Sequence, residues 1–270
     1  MKLTDLHCDT PFEIFKKQSS LLNGETAFTL EKCKSYEEVT QVMAFWSDPK
    51  RTPDECYSDF LSMYDYLSCE TEKAKRGQSS SQENESFFGK FKLIPAVEGA
   101  RLLGGDLGRL SVLKSYGVRI LVPIWGGFEE AGGAFDSSEG LTDFGKSLIK
   151  ECERLGITVD VSHMSDKSFW DTVNISEKPI IASHSNSQSV CRHPRNLTDI
   201  QFRTITECGG VVGVSAAAKH VSAKYAESLP TDGGKFIKEF CDHIEHYLNL
   251  DGARSVCLGC DFDGTCCALS

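Results

Sequence analysis

The sequence predicts an α/β protein, a closed (β/α)8 barrel that lacks its last helix. Three observations lead there. Short β-rich runs alternate with longer helical ones along the chain. Strand, helix and strand repeated in this way mean a parallel sheet with helices outside it. Eight strand candidates fall between Lys2 and Asp261, which suits a closed barrel better than an open sheet.

The elements follow in chain order. Strands are expected at Lys2–Asp9 and Val39–Trp46, then a helix over Pro53–Arg76. Arg76–Lys90 is polar and Ser-rich and reads as an exposed loop. It is not a domain boundary, because the strand count needs both sides of it, so residues 1–270 read as one domain. Strand Phe91–Val97 leads to a weaker helix pattern over Leu102–Tyr116, and strand Val118–Trp125 to a stronger one over Leu141–Leu155. There Phe144, Leu148, Ile149, Cys152 and Leu155 recur at three- and four-residue spacing, Thr142 can cap the start and Gly156 can end it. Strand Ile157–His163, helix Ser165–Asn174, strand Pro179–His184, helix Thr198–Cys208 and strand Gly210–Ser215 continue the alternation. Helix Thr231–Leu250 places Phe236, Ile237, Phe240, Ile244, Tyr247 and Leu248 on one face, and strand Ser255–Asp261 completes the set.

Composition narrows the function. With 40% hydrophobic and 25% charged residues the chain is globular rather than disordered, and 8 Pro in 270 residues exclude a collagen-like sequence. A net charge of −10 argues against a nucleic-acid partner, which needs a basic face. No apolar run approaches the roughly 20 residues of a membrane helix. The start, Met1-Lys2-Leu3-Thr4-Asp5, is not a secretory signal, so a soluble cytoplasmic protein is expected, with no membrane partner. The 12 cysteines then read as reduced thiols, with Cys8, Cys152, Cys241 and Cys257 in apolar contexts as small core residues. Cys257, Cys260, Cys266 and Cys267 offer a C-x-x-C start, but two adjacent cysteines are poor ligand spacing. A strand followed by a ragged terminus is the preferred reading.

In a parallel barrel the C-terminal strand ends meet at one mouth, where catalytic groups collect. Five of the eight strands finish on a metal-ligand type: His7 and Asp9, Glu98, His163, His184, and Asp261. His7 and Asp9 are two apart and point the same way on a strand. Glu98, His163 and His184 come from three other strands, and a Glu has two oxygens with which to bridge two metals. Two divalent ions about 3.5–4 Å apart can hold a shared water as hydroxide near neutral pH. The donor set suits Zn²⁺, two per chain, with Mn²⁺ or Co²⁺ as substitutes. Taken singly, each histidine is more often a core or surface residue, and Glu98 could be a salt-bridge partner. Equivalent placement on five strands decides for the metal. Asp5 and Asp160 sit below the strand ends and read as supporting groups.

These blocks resemble a known family. The match rests on Asp5-Leu6-His7-Cys8-Asp9-Thr10, Ala96-Val97-Glu98-Gly99, Gly140-Leu141-Thr142-Asp143-Phe144-Gly145 and Asp160-Val161-Ser162-His163. It continues through Ser183-His184-Ser185-Asn186, His193-Pro194-Arg195-Asn196-Leu197 and Gly259-Cys260-Asp261-Phe262-Asp263-Gly264, covering nearly the whole chain. The chain resembles the membrane (renal) dipeptidase family of zinc metallopeptidases, within the amidohydrolase superfamily, and its soluble bacterial members most. His-x-Asp on the first strand matters most, because many other amidohydrolases carry His-x-His there.

The resemblance implies a metal-dependent hydrolase barrel that cleaves dipeptides with a metal-bridging hydroxide. It implies that His7 and Asp9 bind one metal, that Glu98 bridges both, and that His163 and His184 bind the second. Asp261 would handle the proton and the substrate's amino group. Arg195 would receive the substrate's C-terminal carboxylate, a pairing that guanidinium geometry favours. His193 and Asp263 are expected to be structural. The resemblance also shows departures. Trp125 stands where vertebrate relatives place a His, and is expected to touch the substrate. Strand seven runs on into Ala216-Ala217-Ala218, where relatives carry an Asn and an aromatic, and Lys219 and His220 read as loop residues. Relatives continue past strand eight with a loop and a helix, so apolar surface is expected at strands eight and one. Two other readings stay open: an amidohydrolase for another small amide or lactam, and an inactive metal-binding remnant. A homodimer is compatible with the sequence.

Overall fold

The computed structural model describes residues 1–76, 87–226 and 229–265. Seven strands form one all-parallel sheet: β1 (Lys2–Cys8), β2 (Glu38–Trp46), β3 (Phe91–Glu98), β4 (Ile120–Val122), β5 (Thr158–Val159), β6 (Val212–Val214) and β7 (Val256–Leu258). Their order is β5-β4-β3-β2-β1-β7-β6, so the sheet curls until β5 and β6 are its edges.

The predicted sixth strand, Pro179–His184, forms no ladder of its own, yet it fills the gap between those edges. Single parallel bridges pair Asp160 with Ile181 and Ala182 with Val212. Val161 N–H donates to the Ile181 carbonyl (2.8 Å), and Gly213 N–H to the Ala182 carbonyl (2.8 Å). Its neighbours approach closely. A Cβ at Gly213 or Gly259 would fall on the Ser183 carbonyl oxygen, so only glycine fits at either position.

Predicted strands four, five, seven and eight extend further than the ladders do. Their C-terminal ends leave the sheet to present side chains at the mouth. His163 (φ 72°) and Asp261 (φ 60°) even adopt left-handed backbone, which no ladder accommodates.

The helices form where caps and apolar spacing expect them. Asp143–Leu155 is capped by Thr142, which accepts Gly145 N–H, and ends at Gly156 (φ 64°). Asp166–Ile175 is capped by Ser165, and Asp199–Glu207 by a Thr198/Gln201 capping box. Pro53–Arg76 is helical throughout. The expected Leu102–Tyr116 helix is divided into a 3₁₀ turn (Ala100–Leu103) and a helix (Gly108–Ser115), because Gly104 and Gly105 adopt positive φ between them. Thr10–Lys17 is an additional helix with Pro11 in its first turn. Of the expected loop Arg76–Lys90, residues 77–86 lie outside the described residues, while Phe87–Gly89 are helical.

Helix Gly233–Asn249 buries Phe236, Phe240, His243 and Tyr247, while Ile237 and Leu248 are about half exposed, at 50% and 47%. The buried face is therefore rotated from the expected one. His243 can be buried because both ring nitrogens are satisfied: Nδ1 accepts Ser187 N–H (3.1 Å) and Nε2 meets the Val221 carbonyl (2.9 Å). Tyr247 stacks on Phe202 at 4.2 Å.

Val42, Ala96, Ile120 and Ile181, with Leu6, Ile94 and Val211 against them, form one small cluster drawn from successive staves, as in a filled barrel interior. A larger cluster, including Val97, Leu121, Leu148, Phe202 and Phe236, lies between sheet and helices. β7 is only half-buried along its length. Cys8, Cys152 and Cys260 are buried, whereas Cys241 is exposed, contrary to expectation, because it falls on the outer side of its helix. Cys8, Cys33, Cys56, Cys69, Cys152, Cys191, Cys208, Cys241 and Cys257 are free thiols, and Cys266 and Cys267 lie outside the described residues. Among the described residues no helix is long and apolar enough to cross a membrane.

Candidate metal centre and its cavity

The strand-end residues converge. A bulge shifts the β1–β2 register between Asp5 and Cys8, just before the mouth. Asp9 sits at the N-cap of helix Thr10–Lys17, but its side chain makes no capping bond. Its carboxylate turns inward instead, with Oδ2 3.5 Å from His7 Nε2. Glu98, at the end of β3, lies between two groups: Oε2 is 3.6 Å from His7 Nε2, while Oε1 is 3.1 Å from His163 Nε2 and 3.5 Å from His184 Nε2. The His163 and His184 Nε2 atoms are 2.9 Å apart. Asp261 Oδ1 lies 4.0 Å from His7 Nε2.

All three histidines point Nε2 inward and tie Nδ1 outward. His163 Nδ1 meets the Trp125 carbonyl (2.9 Å), His184 Nδ1 the Ser183 hydroxyl (2.7 Å), and His7 Nδ1 the same hydroxyl (3.3 Å). Fixing one ring nitrogen in this way is how proteins orient the other for a metal. The strand ends are held by two buried carboxylates. Asp5 accepts the N–H groups of His7 (3.0 Å) and Cys260 (3.0 Å) and the Gln41 side chain (3.1 Å). Asp160 accepts those of Ser162 (2.9 Å) and Ser183 (3.0 Å). Each carboxylate thus links its own strand end to a neighbouring stave, which explains their place below the inward-facing strand-end residues.

Charge at the centre is unbalanced by protein groups alone. Burial, and then Glu98 beside it, push the Asp9 carboxyl up to about 6. Burial drives Asp261 up as well, with Asp9 and Glu98 adding to it against an opposing His7. Burial, followed by Arg195, lowers His163 to about 4. Asp9 Oδ1 and His7 Nε2 are buried with no hydrogen-bond partner. Two donor sets are tight enough for a cation: His7, Glu98 and His184, and His7, Asp9 and Asp261. Crowded carboxylates, the His163 and His184 imidazoles held toward their neutral form, and orphaned inward atoms fit bound divalent ions.

A cavity of about 480 Å³ opens on this centre. Trp125 lines it, packed edge-on to Trp46 (5.2 Å) and stacked over the His163 ring (6.1 Å). Arg195 is buried there, with Nη1 donating to Ser185 Oγ (2.8 Å) and with Nε and Nη2 unpartnered. His193 Nδ1 accepts Arg195 N–H (3.1 Å), a structural contact. Asp263 is structural too, taking Thr10 Oγ1 and Ala27 N–H (both 2.7 Å).

Sequence reasoning missed Trp46 and Phe135, which also line the cavity, and took Lys219 and His220 for loop residues. Trp46 ends β2 at the mouth, so the strand-end rule could have found it had aromatics been considered. Lys219 and His220 lie in a short helix, Ala218–Val221, and line the cavity.

A parallel barrel with buried carboxylates and imidazoles gathered at its strand ends is a hydrolase-type barrel with candidate metal-binding groups at its mouth. The family model for the membrane dipeptidases (peptidase family M19) matches residues 1–270, and the chain belongs to that family. Two crystal structures have the same fold. One is a metallopeptidase from Rhodobacter sphaeroides liganded with a phosphinate mimic of the dipeptide L-Ala-D-Ala (TM-score 0.82, 26% identity, 99% of this chain, 87% of that one). The other is dipeptidase AC, a metallopeptidase of family M19 (TM-score 0.81, 27% identity, 99% of this chain, 86% of that one). An uncharacterised Klebsiella pneumoniae protein from the pqqA 5′ region is 36% identical over 180 residues, 64% of this chain and 65% of that protein. An uncharacterised Acinetobacter calcoaceticus protein from the PQQ-III 3′ region is 39% identical over 168 residues, 59% of this chain. The chain thus spans 65% and 52% of these two curated relatives.

Proposed function

We propose that the chain is a dipeptidase with two zinc ions. The observation that carries this is Glu98, whose two oxygens face His7 on one side and His163 with His184 on the other. His7 and Asp9 would hold one ion, His163 and His184 the second, and Glu98 both. When bound, the ions would polarise the scissile carbonyl and make water a nucleophile near neutral pH.

The chain's own groups do the rest. Asp261 accepts the proton lost by the attacking water and returns it to the leaving amine, as general base and then general acid. Its carboxylate also pairs with the substrate's amino terminus. Arg195 takes the C-terminal carboxylate on Nε and Nη2, the two nitrogens left without partners. Trp125, Trp46 and Phe135 wall the cavity and keep bulk water from the reacting groups. Buried, unpaired thiols such as Cys8 and Cys152 support a reducing, cytoplasmic location.

The decisive experiment measures metal content and dipeptide turnover on one preparation. Two ions per chain with turnover are expected, and Glu98→Ala should lose both. A folded protein that binds two ions and cleaves no dipeptide would reject the reading.

A further inference from the structure

The cavity holds two polar groups that one peptide terminus does not use, Lys219 and the buried, unpartnered Nδ1 of His220. We infer that it selects dipeptides whose C-terminal residue has an acidic side chain, Asp or Glu, read by Lys219 and His220 beside Arg195. This rests on the dipeptidase reading and names its substrate class.

Arg195 has two nitrogens to offer, because Nη1 is spent on Ser185. Together Nε and Nη2 make one fork, which matches the two oxygens of one carboxylate. The substrate's backbone carboxylate therefore saturates Arg195 and leaves Lys219 and His220 without an acceptor. Lys219 lines the cavity at an exposed position, and among the described residues no ion pair involves it. His220 is buried with Nδ1 unpartnered, and burial, followed by Arg195 nearby, holds its ring toward the neutral form. Other carboxylates lining the cavity are committed elsewhere: Asp136 to Gly127 N–H (2.8 Å), Asp263 to Thr10 and Ala27, and Glu13 to Lys17 (2.8 Å). An unpartnered buried ring nitrogen is costly, so the neutral His220 imidazole calls for a hydrogen-bonding group of the substrate, and the exposed Lys219 ammonium beside it supplies the charge that an acidic side chain matches. Ala216, Ala217 and Ala218 precede the turn with methyl groups alone, leaving Lys219 and His220 as the polar groups of residues 216–220.

The test uses the zinc-loaded full chain. kcat/KM is compared for Ala-Asp and Ala-Glu against their amide counterparts Ala-Asn and Ala-Gln, with the second residue as L and as D. Calorimetry then measures Kd for uncleavable reduced-amide analogues of the same pairs. The acid should be preferred over the amide by about tenfold or more, the worth of a charge-assisted hydrogen bond. Lys219→Glu, at an exposed position that folding does not depend on, should bring the ratio below one. His220→Asn should narrow it. Neutral dipeptides cleaved with an acid-to-amide ratio near one, or a ratio unmoved in Lys219→Glu, would overturn the inference while the dipeptidase reading stands. Two ions bound with no dipeptide cleaved would remove that reading, and this inference with it.

Discussion

Asp5 offers the sharpest test of how the mouth is assembled. Its buried carboxylate takes three donors from three staves: His7 N–H and the Gln41 amide on Oδ1, and Cys260 N–H on Oδ2. Stripping a buried donor of its acceptor costs about 1–3 kcal/mol. Asp5→Ala strips three at once, and allowing for partial relaxation and water entry we expect a loss of about 4 kcal/mol. Asp5→Asn separates the contributions. Its amide oxygen can sit at the Oδ1 position and keep two bonds, while its NH₂ then opposes Cys260 N–H. About 2 kcal/mol should be lost, from one missing bond and one donor–donor contact. Guanidinium unfolding of the three proteins, extrapolated to water, gives both differences. The same residue fixes the backbone of His7 and, through Cys260 N–H, that of the residue before Asp261. Zinc affinity should therefore fall about 10–100-fold in Asp5→Ala. The reasoning is refuted if Asp5→Ala stays within about 1 kcal/mol of the parent, or if Asn costs as much as Ala.

Gly259→Ala pushes a methyl onto the Ser183 carbonyl and should cost about 3 kcal/mol, read as a lower guanidinium midpoint; a neutral result would mean residues 179–184 pack elsewhere. Thr198→Ala removes the cap of helix Asp199–Glu207 and should cost about 1 kcal/mol by the same measurement, with dipeptide turnover unchanged. Dialysis against a chelator should abolish turnover and lower Tm. Zinc at a hundred times its Kd should restore about 2.7 kcal/mol, and indifference of Tm to both treatments would speak against a metal centre.

Much of this was legible because it is local. Thr142, Ser165 and Thr198 each announce a helix start by accepting an N–H three residues on, and each does so. The strand-end residues His7, Asp9, Glu98, His163, His184 and Asp261 were legible because a parallel barrel brings such ends to one place. What failed depends on distant neighbours. Nothing within Pro179–His184 says that Asp160's carboxylate will take the Ser183 N–H in place of ladder pairing. Ile237 looks more buriable than His243, until Ser187 and Val221 satisfy both nitrogens of the imidazole. Helix Thr10–Lys17 was hidden because Asp9 reads as the end of a strand, although Asp before Pro11 is also how a helix begins. Lys219 and His220 carry no periodic signal, and only the fold of the chain places them at the cavity.

Asp5 and Asp160 stitch the floor of the mouth with their own side chains, so the backbone beneath His7 and His184 is held from below, and of the three imidazoles His163, tied to the Trp125 carbonyl, leans on the segments that arch above. The rim, from Trp125 to Leu141 and from Ser185 to Leu197, can change length or chemistry over a floor that stays put. Substitutions in the rim therefore alter the walls of the cavity while leaving the backbone beneath His7 and His184 in place.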